Sequence, residues 1–88
     1  MVVQHIKNIF IYSTPTCSYC KILKSYLDEK GIKYTAVDLA KEADRVSEMV
    51  ELSGQYGVPV MVVNKGEPDQ VVIVGFNKSM VNETLGIS

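Results

Sequence analysis

The chain contains only two cysteines, Cys17 and Cys20, and two residues separate them. They follow an apolar run, residues 9–12, and lie where an amphipathic helical pattern begins near Ser18. This change of periodicity predicts a buried strand that leads into a helix. Because a cysteine pair of this spacing at a strand–helix junction is typical of redox chemistry, it constrains both the fold and the function of the chain.

The two cysteines are expected to play different parts. A thiol is a nucleophile only when it is ionised, and the start of a helix favours the thiolate because its N–H groups are unpaired and its dipole end is positive. Cys17, at the tip of the helix, is therefore the expected attacking thiol. Cys20 shares a helical face with Leu23 and Leu27, so it should be buried and act as the resolving thiol one turn away.

Other uses of the cysteine pair are less well supported by the sequence. A zinc site normally takes four protein ligands, and the only other candidate is His5, which is poorly placed before the predicted strand. Two unrelated core cysteines are conceivable because cysteine is often buried. A purely structural bridge in an interaction module would restrain little of the unfolded chain, since the loop it closes is so short. We therefore predict a redox pair and no metal site.

Composition limits the partners that the chain can be expected to have. Its 88 residues predict one domain, residues 1–88, and 47% apolar with 22% charged residues is ordinary for a globular protein. A net charge of −1 gives no general attraction to nucleic acid or to anionic membrane. No window is apolar enough for a membrane span, and residues 1–8 do not resemble a signal peptide. Without further cysteines for structural bridges, we expect a cytoplasmic protein. Its oligomeric state is open, and a monomer is the default expectation.

Hydrophobic periodicity and turn residues predict four strands and three helices. The predicted elements are a strand at Ile9–Ser13, a helix from Ser18 to about Lys30 with Gly31 as its stop, a strand at Tyr34–Leu39, a helix at Ala43–Leu52, strands at Val58–Val63 and Val71–Val74, and a helix from about Lys78 to Leu85. The first β-α-β unit should be parallel, and the last two strands should form an antiparallel hairpin. This order, β-α-β-α-β-β-α, predicts an α/β fold with a four-stranded mixed sheet and helices on both faces.

Three short motifs carry a family likeness. They are Tyr-Ser-Thr-Pro-Thr-Cys-Ser-Tyr-Cys-Lys at residues 12–21, Gly-Val-Pro at residues 57–59 and Val-Gly-Phe at residues 74–76. Together they resemble a small glutaredoxin-like protein of the thioredoxin superfamily, over about residues 8–86. The Gly-Phe pair in the last motif resembles the ribonucleotide-reductase-associated redoxins of the NrdH type and the glutaredoxin-like proteins of the YruB type. The resemblance implies a thioredoxin-like fold.

The resemblance also implies a set of site residues. It implies a cis peptide bond between Val58 and Pro59 beside Cys17, although only about one X-Pro bond in twenty is cis in folded proteins. Backbone groups of Val58 would then pair with an extended segment of the substrate. Apolar Val58 and Tyr19 beside the sulfur would favour a protein disulfide over a small charged one. The expected catalytic residues are Cys17 and Cys20, and the expected substrate-binding residues are Tyr19, Val58, Pro59, Gly75 and Phe76.

The chain departs from the glutathione-using members of the family. These usually carry a lysine where this chain has Thr14, and two glycines followed by an acidic residue where it has Gly75, Phe76 and Asn77. Glutathione is a charged tripeptide, and this chain lacks residues that bind it in those members. We therefore predict weak glutathione binding and no cofactor beyond the dithiol itself. Thioredoxins differ as well, because they carry a Trp-Cys-Gly-Pro-Cys motif, a buried acid at the position of Ile11, and a longer chain.

These features predict a thiol-disulfide oxidoreductase that reduces protein disulfides. Its electron donor would be a flavoprotein of the thioredoxin-reductase type or glutathione. Its targets would be proteins such as ribonucleotide reductase, peroxide-removing enzymes or methionine sulfoxide reductases. The alternatives are a glutathione-dependent glutaredoxin and a dimer that binds a [2Fe–2S] cluster through the first cysteine and glutathione.

Overall fold

The computed structural model describes residues 5–87. Its strands and α-helices follow the predicted order, with one short 3-10 turn, Ala43–Arg45, before the second helix. The elements are β1 (Ile9–Ser13), α1 (Ser18–Glu29), β2 (Thr35–Asp38), α2 (Val46–Ser53), β3 (Val60–Val63), β4 (Val71–Val74) and α3 (Lys78–Leu85). None of the helices within residues 5–87 combines the length and the apolar character that a bilayer crossing requires.

The strands form one mixed sheet in the order β2-β1-β3-β4. β1 is parallel to β2 and antiparallel to β3, and β3 is antiparallel to β4. Val60, the first residue of β3, lies opposite Tyr12 of β1 and Val74, the last residue of β4. The chain that follows β1, the chain that precedes β3 and the chain that follows β4 therefore meet at one end of the sheet. This register positions the cysteine motif beside two distant segments.

Helices cover both faces of the sheet, as predicted. Alternate residues of β1 point to opposite faces, so Ile9 and Ile11 join one core cluster and Phe10 and Tyr12 join the other. The first cluster receives side chains of α1 and α3, namely Leu23, Leu27, Val81 and Leu85. The second receives Met49, Val46 and Val50 of α2. The mixed sheet with helices on both faces confirms the predicted fold class.

A polar cluster attaches α2 to the sheet. The carboxylate of Glu48 accepts hydrogen bonds from the hydroxyl of Tyr12, from Arg45 at 2.9 Å and from Lys65 at 2.7 Å. Tyr12 belongs to β1, and Lys65 follows β3, so one carboxylate joins the helix to two parts of the sheet. The Tyr12 side chain is fully buried, and its hydroxyl has a partner, as buried polar groups require.

Several boundaries differ from the prediction. β3 begins at Val60 rather than at Val58, because Pro59 has no N–H with which to join the ladder. The predicted helix at Ala43–Leu52 is divided, since Arg45 has φ −89° and ψ 0°, which ends the 3-10 turn before the α-helix starts. β2 is one residue shorter at each end than predicted. Gly31 stops α1 as expected, with φ +70°.

Candidate active site

Cys17 caps the N-terminus of α1. A turn at Pro15 and Thr16 follows β1 and leaves Cys17 in an extended conformation, with φ −85° and ψ 112°. Its sulfur accepts a hydrogen bond from the backbone N–H of Cys20 at 3.1 Å. In most helices the side-chain oxygen of Ser, Thr, Asp or Asn accepts this bond. Negative charge on the Cys17 sulfur would therefore meet a donor and the positive end of the helix dipole.

The two cysteines are joined in a disulfide with their Cα atoms 5.2 Å apart, which is within the usual range for such a bond. The Cys20 side chain is fully buried, whereas Cys17 is partly exposed. Cys20 is therefore closed to an incoming sulfur, whereas Cys17 lies at the surface. This confirms the predicted orientation of the pair, with Cys20 towards the core and Cys17 at the helix tip.

The loop before β3 lies against Cys17. The peptide bond between Val58 and Pro59 is cis, as the resemblance implied, and Pro59 is buried. The carbonyl oxygen of Val58 is 3.8 Å from the Cys17 sulfur. The Val58 side chain, in contrast, packs against the core cluster on the α2 face. The Val58 backbone is thus the group that the structure places beside the sulfur.

The structure brings Gly75 to the loop beside Cys17 and packs Phe76 on α1. The N–H of Gly75 donates to the carbonyl of Pro59 at 2.8 Å, and Gly75 has φ +75°, a conformation that favours glycine. The Phe76 ring packs edge-to-face on Tyr26 of α1, with 5.9 Å between the ring centroids. Gly75 therefore fixes the loop that carries Pro59, whereas Phe76 contacts the side of α1.

Tyr19 and Lys21 belong to the exposed side of the cysteine motif. Tyr19, between the cysteines, is 63% exposed. Because most of the residue is exposed, Tyr19 is available to an incoming molecule. The helical pattern predicts that Lys21 and Lys24 both lie on the solvated face of α1; Lys21 is exposed, whereas Lys24 is partly buried, which corrects the prediction for Lys24.

No group of three or more His, Cys, Asp and Glu side chains is placed to hold a metal ion anywhere in residues 5–87. His5 is exposed, and its carbonyl accepts a hydrogen bond from the Asn64 side chain at 2.7 Å. Asn64 follows β3, so it lies beside the start of β1. His5 and the cysteine pair are therefore near opposite ends of β1.

Sequence reasoning did not single out three residues near Phe76. Ile22, Tyr26 and Lys78 line a surface groove of about 390 Å³ together with Phe76. Ile22 is 47% exposed, so it interrupts the polar face of α1. An apolar residue on the polar face was the one signal in the sequence that pointed to this groove.

Comparisons with known proteins agree with this geometry. The sequence model of the glutaredoxin family matches residues 9–67. A glutaredoxin-like 8.6 kDa protein in the rubredoxin operon of Clostridium pasteurianum is 43% identical over 77 residues, which cover 88% of this chain and 96% of that protein. Glutaredoxin 3 of Escherichia coli is 32% identical over 57 residues, which cover 65% of this chain and 69% of that protein.

A solved structure shares the fold. The glutaredoxin-like protein NrdH-redoxin from Escherichia coli superposes with a TM-score of 0.70 at 20% identity, over 85% of this chain and 91% of that one. Its fold supports the thioredoxin-like arrangement of sheet and helices described above. The residues that the family model matches make up more than half of the chain and include both cysteines, and this chain therefore belongs to the glutaredoxin family of thiol-disulfide oxidoreductases.

Proposed function

We propose that this protein reduces disulfides in other proteins by dithiol exchange through Cys17 and Cys20. The observation that carries the proposal is the disulfide at the start of α1, in which Cys17 is partly exposed and Cys20 is fully buried. This asymmetry supports a first attack by Cys17 and a second by Cys20. The form with the disulfide closed is the oxidised product of the reaction.

The reaction proceeds in two exchanges. The Cys17 thiolate attacks one sulfur of the target disulfide, so that a Cys17–target bond forms and the other target sulfur leaves as a thiolate. The Cys20 thiol then loses its proton and attacks the Cys17 sulfur, which forms the Cys17–Cys20 disulfide and releases the second target thiolate. Two electrons pass from the protein to the target. Cys17 caps α1 and Cys20 lies in its first turn, so the resolving thiol is held one turn from the mixed disulfide.

The surroundings of Cys17 favour a protein as the substrate. The backbone of Val58 lies beside the sulfur, where an extended segment of a target can add to it as a short strand. The exposed ring of Tyr19 offers further contact area on the other side of the motif. Both features provide contacts that a polypeptide can use on either side of its cysteine.

Glutathione is expected to bind weakly. Thr14 stands where glutathione-using members have a lysine, and Asn77 stands where they have an acidic residue. At the start of α3, the Asn77 side chain already accepts the N–H of Met80 at 3.1 Å, so one donor that a carboxylate could use is satisfied. We therefore propose a thioredoxin-reductase-type flavoprotein as the electron donor. A [2Fe–2S] dimer, which would need glutathione as a ligand, is less well supported.

The physiological targets would be proteins of the cytoplasm whose catalytic cycles leave a disulfide. Ribonucleotide reductase, peroxide-removing enzymes and methionine sulfoxide reductases meet this requirement. We propose that the protein acts on them as a monomer. A brown preparation with bound iron and sulfide, purified without oxygen, would instead support the cluster-binding dimer.

NADPH-coupled reduction of insulin tests the proposal. One reaction contains a flavin thioredoxin reductase, and the other contains glutathione with glutathione reductase. We expect turnover with the first and little with the second, together with weak glutathione binding by calorimetry. Efficient turnover with glutathione alone would contradict the choice of donor, and no reduction of insulin with either donor would contradict the proposed function.

A further inference from the structure

A groove leaves the cysteine motif along the outer side of α1. We name it the α1 groove, and it is lined chiefly by Lys21, Ile22, Tyr26, Glu29, Phe76 and Lys78. The four residues from α1 form a stripe along the helix, while Phe76 and Lys78 lie where the chain passes from β4 to α3. Its volume is about 390 Å³.

The α1 groove begins one helical turn from Cys17. Lys21 lies four residues after Cys17, and its N–H donates to the Cys17 carbonyl at 3.3 Å, so the two residues are neighbours on one side of the helix. Phe76 directly follows Gly75, whose N–H donates to the carbonyl of Pro59 at 2.8 Å. From Lys21 to Glu29 the helix rises by about 12 Å. An extended peptide covers that distance with about four residues. A polypeptide whose cysteine is bound to Cys17 can therefore continue directly into the groove.

The floor of the groove is apolar. Ile22 is 47% exposed, and the rings of Tyr26 and Phe76 are partly buried and in edge-to-face contact. Single exposed apolar residues are ordinary on protein surfaces. Here, however, three apolar side chains line one concave surface that also contains Lys21 of the cysteine motif. An apolar side chain of a partner that covers such a surface contributes favourable binding free energy, because it removes apolar area from water.

Lysine side chains lie close to the apolar floor of the groove. The ammonium group of Lys78 lies 5.2 Å from the centroid of the Tyr26 ring, and that of Lys30 lies 5.7 Å from it. Lys21 lines the end of the groove that adjoins the cysteines, whereas Glu29 lies at the far end. The groove is thus locally positive although the chain as a whole has a net charge of −1. An acidic side chain close to the partner's cysteine would complement Lys21 and Lys78.

We propose that the α1 groove binds the segment of a partner protein that flanks its reactive cysteine, and that it selects segments with one acidic and one apolar residue within about four residues of that cysteine. The proposal rests on the proposed function, because the partner's cysteine must be held at Cys17. It assigns a role in substrate selection to Ile22 and Lys78, which lie outside the cysteine motif.

Short synthetic peptides test this selection. Each peptide contains one cysteine and is prepared as its symmetrical disulfide, with a Glu-Leu pair either before or after the cysteine, and matched peptides carry Lys-Leu instead. The reduced protein is mixed with each disulfide, and the rate of appearance of the peptide thiol is followed by chromatography. Each rate is divided by the rate of the same variant with neutral bis(2-hydroxyethyl) disulfide, so that general changes in thiol reactivity cancel.

We expect the Glu-Leu peptide, in at least one of its two placements, to react about fivefold faster than the matched Lys-Leu peptide. The charge reversal Lys78→Glu should abolish or invert this preference. The change Ile22→Ser should slow both peptides roughly threefold relative to the small disulfide, since it removes apolar contact. Lys41→Glu, which makes the same change of net charge at an exposed lysine outside the groove, should keep the preference of the unchanged protein.

The outcomes separate this proposal from the proposed function. If the unchanged protein does not reduce bis(2-hydroxyethyl) disulfide, insulin or the peptides, the proposed function fails. If it reduces them without preferring Glu-Leu in either placement, or if Lys41→Glu abolishes the preference as Lys78→Glu does, the groove proposal alone fails. A concentration-dependent dimer in sedimentation that Ile22→Ser dissociates would assign the groove to a second copy of this chain and would also overturn the proposal.

Discussion

The carbonyl oxygen of Val58 lies 3.8 Å from the sulfur of Cys17, although 41 positions separate the two residues in the chain. They meet because Val60, two residues after Val58, pairs with Tyr12 near the end of β1. The same residue pairs with Val74 at the end of β4, which brings Gly75 to Pro59. The site therefore depends on strand register, since a shift by one residue would reverse the direction of every side chain in a strand.

Replacement of the cysteines should separate the two exchanges. Cys17→Ser should lower insulin reduction to the background rate, because the accessible nucleophile is lost. Cys20→Ser should still attack a target but should accumulate a mixed disulfide, which mass spectrometry under non-reducing conditions detects. In the reduced unchanged protein, iodoacetamide should modify Cys17 before the buried Cys20. An active Cys17→Ser protein, or a mixed disulfide at Cys20, would contradict the assigned roles.

Gly75→Ala should destabilise the protein through its backbone conformation. Gly75 has φ +75°, and an added Cβ would meet no atom within 4 Å, so the cost is conformational rather than steric. We expect a loss of about 1–2 kcal/mol in the free energy of unfolding, measured with denaturant. Gly75→Asn should lose less, because asparagine adopts positive φ more readily. Equal losses for the two variants would contradict this explanation.

Gly66→Ala is the matched control for that change. Gly66 has φ +82°, an added Cβ would also meet no atom within 4 Å, and it lies in the turn between β3 and β4, away from the cysteines. It should cost a similar free energy of unfolding. Only Gly75→Ala should also slow insulin reduction, because Gly75 fixes the loop beside Cys17 through Pro59.

Much of the fold was predictable because local pattern and topology agree. The apolar run of β1, the helical spacing of Cys20 with Leu23 and Leu27, and the parallel crossover to β2 were all predicted and are observed. These features depend on which face of an element is apolar, and the spacing of apolar residues in the sequence shows that face directly. The cis bond before Pro59 came from family resemblance, since physical preference alone favours the trans form.

Other features depend on how segments that are distant in the sequence pack together, and the spacing of apolar residues does not predict such contacts. The Val58 side chain packs on the α2 face although its carbonyl faces the sulfur, and this division follows from the path of the loop before β3. Phe76 packs on Tyr26 of α1 because the chain turns at Gly75. The groove that Ile22 and Phe76 line combines residues of α1 with residues of the segment that connects β4 to α3. The helical pattern therefore showed only that Ile22 is an apolar residue on the polar face of α1.

Tyr26 should couple α1 to α3. Its hydroxyl donates a hydrogen bond to the side-chain oxygen of Asn82, and its ring contacts Phe76. Tyr26→Phe keeps the ring and removes the hydrogen bond, so we expect a loss of about 1 kcal/mol in the free energy of unfolding. Asn82→Ala should cost a similar amount. In the double variant the two losses should not add, and full additivity would show that this bond contributes nothing.

Glu48 has its pKa held at about 2, below the usual 4.5. The main cause is the hydrogen bond from Arg45, which outweighs burial, and bonds from Lys65 and Tyr12 act in the same direction. The carboxylate in turn raises the pKa of Lys65, while burial together with Glu48 raises that of Tyr12. Each partner therefore favours the charged carboxylate that joins α2 to the sheet.

This arrangement predicts how stability depends on pH. Because folding lowers the pKa of Glu48, its contribution is fully present above about pH 4.5 and is lost as the pH falls towards 2. Solvent reaches 32% of the Glu48 side chain and screens its ion pairs, so Glu48→Gln should cost about 1–2 kcal/mol at neutral pH and little near pH 2. Denaturant unfolding at several pH values measures this difference. The control Glu51→Gln, at an exposed carboxylate of the same helix, should keep the acid dependence of the unchanged protein. A Glu48→Gln variant that loses stability equally at all pH values would show that the charge of Glu48 is not what stabilises the fold.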